Sequence, residues 1–146
     1  MLEGCTMRKL REHKGAAVVE FAIVLPILLV LVFGIIEFGI LIYNKQVLTN
    51  ASREGARAGI VYIDGTSRVP AGNASNSDTI KGIVNDYAND YLITFGSSIP
   101  LNTDVEFPEG QDSGDPLIVT VSYGYSFILF PVTDYPIKAR TVMKYE

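Results

Sequence analysis

The residue types that most often carry catalysis or bind transition metals are nearly missing from this chain. Its single histidine, His13, and its single cysteine, Cys5, both lie in the first 15 of 146 residues. Residues 16–146 therefore offer no nucleophile–base pair built on histidine or cysteine, and no zinc site of the usual ligand types. The sequence also contains no glycine-rich phosphate-binding loop. It predicts a protein that is not an enzyme and that has no cofactor and no metal site.

Carboxylates are the remaining candidates for chemistry. Asp86 and Asp90 are spaced by one helical turn, and four more acidic residues surround a turn, at Glu106, Glu109, Asp112 and Asp115. Calcium prefers several oxygen ligands, so this second group could bind that ion. Its spacing matches no calcium-binding loop, however, and we interpret residues 108–116 as a solvated acidic turn.

One carboxylate stands out by its surroundings. Glu20 is the only ionisable residue in the 21-residue apolar stretch from 16 to 36. A helix of that length covers roughly 30 Å, the thickness of the hydrocarbon core of a bilayer, so the stretch predicts one membrane span. An ionised carboxylate in a span costs at least ~2.5 kcal/mol. Either Glu20 reaches the lipid headgroups, or a cation close by neutralises it.

Cleavage of the chain after Gly15 would create such a cation. Ala16 would then carry a free α-amino group, which is charged at neutral pH. Ala16 and Glu20 are four residues apart, so the two charges could pair within one helix or between neighbouring chains in a bundle. A buried carboxylate with a single possible partner would fix the stagger of such chains.

Charge on either side of the span predicts its orientation. The basic residues ahead of it are Arg8, Lys9, Arg11 and Lys14. This excess favours a cytoplasmic N-terminus and a C-terminal domain outside the cytoplasmic membrane. Residues 16–146 carry 8 basic and 14 acidic side chains, a net charge of −6. That balance argues against nucleic acid as a partner.

Hydrophobic periodicity predicts an α+β fold. One helix is expected from about residue 16 to residue 60, with a bend or local unwinding at Pro26 and a stripe of small residues in its second half. A second helix is expected to begin at a Ser77 or Asp78 cap and to end near Phe95–Gly96. Alternating patterns then predict three strands, at 103–107, 116–128 and 135–145, in a small antiparallel sheet. The sheet should pack one face on the helices and leave the other polar.

Two blocks of the sequence resemble a known family. The block "GAAVVEF", from Gly15 to Phe21, is similar to the recognition site of type IV prepilins. Its continuation "AIVLPILLVLVFGIIEFG" and the later block "LTNASREGARAGI" resemble the TadE-like minor pilins, or pseudopilins, of the tight-adherence (Tad, or Flp) type IVb pilus system. The matching motif positions are Pro26, Arg53, Glu54, Gly55, Ala56 and Arg57. Ser52 departs from the motif, because alanine is frequent there.

The resemblance implies a pilin-like fold and a role in pilus biogenesis and cell adhesion. A prepilin peptidase would cleave between Gly15 and Ala16, and Glu20 and Phe21 would act in assembly and registration. The implied partners are other pilins, the Tad inner-membrane assembly machinery, the peptidase and the lipid bilayer. Major pilins of this system consist of little more than the helix, so the additional domain favours a minor subunit.

The expected organisation is a cytoplasmic basic leader (1–15), a transmembrane helix (16–42), its extracytoplasmic continuation (43–62) and an extracytoplasmic α+β domain (63–146). The expected location is the bacterial inner membrane, crossed once, with possible incorporation in the pilus. A competing hypothesis is an unprocessed single-pass membrane protein whose outer domain binds a ligand. A tethered hydrolase is disfavoured by the missing histidine and cysteine.

Overall fold

The computed structural model describes the backbone of residues 4–62, 67–95, 101–128 and 134–146, and side chains from residue 15 onward. The first element, α1, runs from Gly4 to Ile60. It begins earlier than predicted because the leader is rich in Arg, Lys and Leu, which favour helix. The helix is also continuous through Pro26, so the predicted local unwinding is absent. The strong helix formers on both sides of Pro26 tolerate the loss of one hydrogen bond.

The chain divides into two compact units, Met1–Phe38 and Gly39–Glu146. In the described part of the first unit there is one element, the N-terminal portion of α1. The second unit contains the remainder of α1, a second helix and a three-stranded sheet, which is the predicted α+β arrangement.

The second helix, α2, runs from Ile80 to Tyr91. The prediction that Ser77 or Asp78 caps it was wrong, because Thr79 is the cap and its hydroxyl accepts a hydrogen bond from Gly82 N at 3.1 Å. Asp78 belongs instead to a preceding turn, in which its N–H donates to Asn76 Oδ1 at 3.0 Å. The helix also ends before Phe95, since Leu92 is already extended at φ −71° and ψ 135°. Gly96 lies outside the described residues.

The sheet is formed by β1 (Asn102–Glu106), β2 (Pro116–Tyr125) and β3 (Tyr135–Lys144), in the order β1-β2-β3. Both pairings are antiparallel, and in one row of the register Thr103 lies beside Val121 and Val121 beside Ala139. The strand β2 ends before the predicted limit at residue 128. The predicted three-stranded antiparallel sheet is confirmed.

One face of the sheet forms the core with both helices. Alternate residues of β2 point into it, and these are Leu117, Val119, Val121, Tyr123 and Tyr125. The opposite face carries exposed charged side chains at Lys138, Arg140 and Lys144. Leu48 and Ala51 of α1 and Val84 of α2 complete the core.

The small residues of α1 allow α2 and β2 to approach its backbone closely. A Cβ atom on Gly59 would lie 2.6 Å from Ile80 Cδ1 and 2.6 Å from Leu117 Cδ2. A Cβ atom on Gly55 would collide with Val84 and lie 3.4 Å from Ile80 Cγ2. The predicted small-residue stripe of α1 is therefore packed by the chain's own elements.

Candidate functional site

The first candidate site is the apolar surface of α1. Its side chains are exposed from residue 15 to residue 33 and again at Ile35 and Ile36. Within Gly15–Ile60, α1 is long and apolar enough to cross a membrane, and no other helix among the described residues is. Exposed apolar surface on this scale is rare in soluble proteins and marks a surface that lipid or protein covers.

The predicted processing and registration residues lie on this exposed surface. Ala16 and Glu20 are one turn apart on the same helix face, and Phe21 beside them is 63% exposed. Gly15 has open space around its Cα. Among the side chains that the structure describes, one ion pair is formed, and it does not include Glu20. The carboxylate therefore has no cationic side chain as a partner in that part of the chain.

The second candidate site is the motif at residues 52–57, which divides between two environments. Ser52, Gly55 and Ala56 are buried, and they face the core of the Gly39–Glu146 unit. Arg53 and Arg57 are exposed, while Glu54 is partly exposed. The helical period places these two sets on different faces, so one half of the motif serves packing and the other half meets solvent.

Glu54 and Arg57 form a bidentate ion pair. Arg57 donates from Nη2 to Glu54 Oε1 at 2.7 Å and from Nε to Glu54 Oε2 at 3.2 Å. The hydrogen bonds from Arg57 lower the pKa of Glu54, and those same bonds raise the pKa of Arg57. Exposed ion pairs contribute little to stability. The pair instead leaves Arg53 and an ordered pair of charges on the outer face of α1, where a partner could contact them.

Ser52, the one departure from the family motif, has a specific contact. Its hydroxyl donates to Thr49 O at 2.9 Å, and its oxygen lies 2.7 Å from Thr141 Oγ1. Thr141 belongs to β3, so this pair of hydroxyls joins α1 to the sheet. An alanine would fit the same space without this link.

Sequence reasoning missed Asn44, which is fully buried in α1. Its amide donates to Ile93 O at 2.9 Å and accepts from Ile93 N at 3.1 Å. The side chain thus satisfies both backbone groups of a residue just beyond α2. A signal was available, because Asn44 lies between Leu41 and Leu48 in the apolar stripe of α1. A polar residue at such a position needs a buried partner.

A second missed feature surrounds Arg68. Its guanidinium carbon lies 4.5 Å from the ring centre of Tyr62 and 3.8 Å from that of Tyr145. Arg68 also donates to Tyr62 Oη at 2.8 Å and to Gln111 O at 2.7 Å. Burial raises the pKa of Tyr145, although Arg68 opposes that shift. The cluster connects the end of α1 to the turn before β2.

Backbone N–H groups of the acidic turn, residues 108–116, donate hydrogen bonds that hold the turn in place. Asp115 Oδ2 accepts the N–H of Asp112 at 3.0 Å, and Gly114 N donates to Tyr145 O at 2.8 Å. In the described part of the chain, no group of three or more His, Cys, Asp or Glu side chains could hold a metal ion.

Comparison with known proteins gives one match. The model of the family described as TadE-like protein matches residues 15–57. No curated protein and no solved structure matches the chain. The matched residues begin at Gly15 and end at Arg57, so they contain the first block and residues 48–57 of the second. They make up less than half of the chain, and this segment is similar to the TadE-like family.

Proposed function

We propose that this chain is a minor pilin, or pseudopilin, that takes part in the assembly of Tad (Flp) type IVb pili for adhesion. The observation that carries the proposal is the coincidence of the TadE-like match at residues 15–57 with a helix whose apolar side chains are exposed. The role is structural rather than catalytic. Its partners are other pilins, the Tad inner-membrane machinery, a prepilin peptidase and the bilayer.

The exposed helix suits two environments. Lipid and the core of a helical bundle are both apolar, so moving the helix between them costs little burial energy. Before assembly the span holds the chain in the inner membrane, with its N-terminus in the cytoplasm. During assembly the same side chains pack on the helices of other pilins. The domain of residues 63–146 lies outside the cytoplasm and caps or primes the assembly.

Because of Glu20, transfer of the helix from the bilayer into a bundle depends on a correctly placed positive charge. In a bundle core its charge needs a partner, and cleavage after Gly15 supplies one as the α-amino group of Ala16. Pairing of Glu20 with the amine of its own or a neighbouring chain sets the register of adjacent helices. Phe21 packs next to this pair, and Arg53 with the Glu54–Arg57 pair offers a charged contact further along the same helix.

Replacing Gly15 with leucine should block processing. The peptidase would have to accept a large side chain next to the scissile bond, where the natural residue has none. Mass spectrometry of the membrane-purified chain should show that the variant retains residues 1–15, whereas the natural chain begins at Ala16. Gly34→Leu, another open helical glycine, is the matched control and should be processed normally. A natural chain that retains its leader would instead support the unprocessed single-pass membrane protein.

Replacing Glu20 with alanine should leave processing largely intact and weaken association with partner pilins. The variant still exposes an apolar helix but lacks the charge that fixes its register. Co-purification with partner pilins from cross-linked membranes measures the effect, and Val24→Ala on the same exposed surface is the control. Equal recovery of partner pilins by the Glu20 variant and the natural chain would contradict the registration role.

A further inference from the structure

Two contacts show how β3 runs beside α1 within the Gly39–Glu146 unit. Lys45 Nζ donates to Lys138 O, and Ser52 Oγ lies 2.7 Å from Thr141 Oγ1. Seven helix residues separate the first pair from the second, about 10.5 Å, and three strand residues cover about 10 Å. Over this stretch β3 and α1 therefore run in the same direction. Tyr135, three residues before Lys138, therefore lies nearer than Lys138 to the Gly39 end of the unit.

The second helix runs the opposite way along α1. At one end Ile80 and Val84 lie against Gly55, and at the other Asn44 binds the backbone of Ile93. The segment that follows α2 is therefore also near the start of the unit. Two separate parts of the chain, residues 91–95 and the paired ends of β2 and β3 at Tyr125 and Tyr135, therefore lie toward this end of the unit.

This end of the unit exposes large apolar side chains. At the last residue of α2 and just beyond it these are Tyr91, Ile93 and Phe95, at 52%, 37% and 59% exposure. At the β2–β3 turn they are Ile128 at 62% and Tyr135 at 50%. The rings of Phe127 and Tyr135 are 6.0 Å apart, and Ile128 follows Phe127 in the chain. We call Ile93, Phe95, Ile128 and Tyr135 the apolar collar.

The opposite end of the unit differs in character. Its described loops, at 67–78 and 107–115, are rich in Gly, Ser, Asn, Asp and Glu. Val61 and Tyr62 are exposed there, at 54% and 47%, and Tyr62 is engaged with Arg68 by a hydrogen bond and a cation–π contact. The exposed apolar groups of the collar are thus at the end of the unit where α1 still carries Ile40, Leu41 and Ile42.

We propose that the apolar collar is a lipid-contacting surface that seats the domain in the headgroup–acyl boundary of the bilayer. The apolar run of α1 continues to Ile42, so the bilayer that surrounds this run ends at the level of the collar. Tyrosine and other amphipathic rings are enriched at that boundary. The collar extends the lipid contact of one helix to two further segments of the chain. This lipid contact depends on the membrane span and not on pilus assembly.

The occupant is lipid rather than a second copy of the chain because α1, the candidate membrane span, still exposes the apolar side chain of Ile42 within this unit. Apolar side chains at the interface insert to a depth of roughly 5–10 Å. A short collar at one end of the domain can reach that depth while the acidic turn at the other end stays in water.

The chain has no tryptophan, so a single introduced tryptophan reports its own surroundings. Three variants of the full chain, Phe95→Trp, Tyr135→Trp and Tyr62→Trp, are reconstituted in phosphatidylcholine vesicles with brominated acyl chains. Tyr62 and Tyr135 have nearly equal exposure, 47% and 50%, at opposite ends of the unit. Tyr135→Trp and Phe95→Trp should lose most of their emission to the bromolipid, while Tyr62→Trp should keep its emission.

Two results would overturn the proposal. The first is that the collar tryptophans are quenched no more than the one at position 62. The second is that they are protected from a water-soluble quencher but not quenched by bromolipid, which would indicate contact between copies of the chain. Circular dichroism confirms that each variant is folded, and the use of two collar positions keeps the test valid if one variant misfolds. Failure of processing after Gly15 would leave this experiment unaffected.

Discussion

Replacing Asn44 with leucine is expected to lower the free energy of unfolding of the Gly39–Glu146 unit by about 2–4 kcal/mol. Leucine is close to asparagine in size but cannot hydrogen-bond. The N–H and C=O of Ile93 would both lose their partner in a part-buried site. Each unsatisfied buried group costs roughly 1–3 kcal/mol, and the gain in apolar surface offsets only part of that.

Urea unfolding of the full chain in detergent micelles, followed by tyrosine near-ultraviolet circular dichroism, measures the effect. Asn50→Leu is the matched control, since the side chain of Asn50 accepts from Gln46 Nε2 at an exposed site and is only half-buried. It should change the free energy of unfolding by less than about 0.5 kcal/mol. Similar losses in the two variants would show that Asn44 is no special link between α1 and the segment after α2.

Replacing Gly82 with alanine is expected to destabilise the same unit by about 3 kcal/mol, at the upper end of the usual cost of overpacking. A Cβ atom there would collide with the carbonyl of Asn76 and lie 2.9 Å from Ser77 Cα. These are backbone atoms, so no rotamer change relieves the contact. The turn is also held in place, because Asn76 O accepts from Thr79 N at 3.1 Å and from Thr79 Oγ1 at 2.7 Å.

The control for Gly82→Ala is the same substitution at Gly39, a helical glycine with no atom within 4 Å of its would-be Cβ. Alanine favours helix over glycine by up to about 1 kcal/mol, so Gly39→Ala should be neutral or stabilising. Thermal unfolding in micelles compares the two. An equal melting temperature for Gly82→Ala and the natural chain would mean that α2 can move away from the turn at no cost.

Most of the fold could be predicted from local sequence patterns. The 21-residue apolar stretch, the three- and four-residue steps of the helices and the alternation in the strands each depend on neighbours a few residues away. The order β1-β2-β3 follows because consecutive strands joined by short turns pair with each other. Element ends were predicted less well. The cap of α2 moved from Ser77 or Asp78 to Thr79 because Asn76 held Asp78 in a turn, a competition that residue type alone does not decide.

The candidate sites also divide into those that local sequence patterns predict and those that they do not. Gly15, Glu20 and the motif at 52–57 could be found from the sequence because they are recognised by residue type and by spacing along one helix. Asn44 and Arg68 could not be assigned partners, because the groups that they bind are 49 and 43 residues away in the chain. No local pattern states which backbone amide a buried asparagine will meet, although the position of Asn44 in an apolar stripe indicated that it would meet one.

By itself, the sequence determined that the chain has one candidate membrane span with a lone carboxylate, a TadE-like segment and an α+β domain without histidine or cysteine. Those properties depend on composition and short-range spacing. Only the tertiary structure decided which half of the motif at 52–57 is buried, what Asn44 binds, and that residues 91–95 and the paired ends of β2 and β3 lie toward one end of the domain. These facts depend on how α2 and β3 align with α1, which is set by packing between residues far apart in the chain.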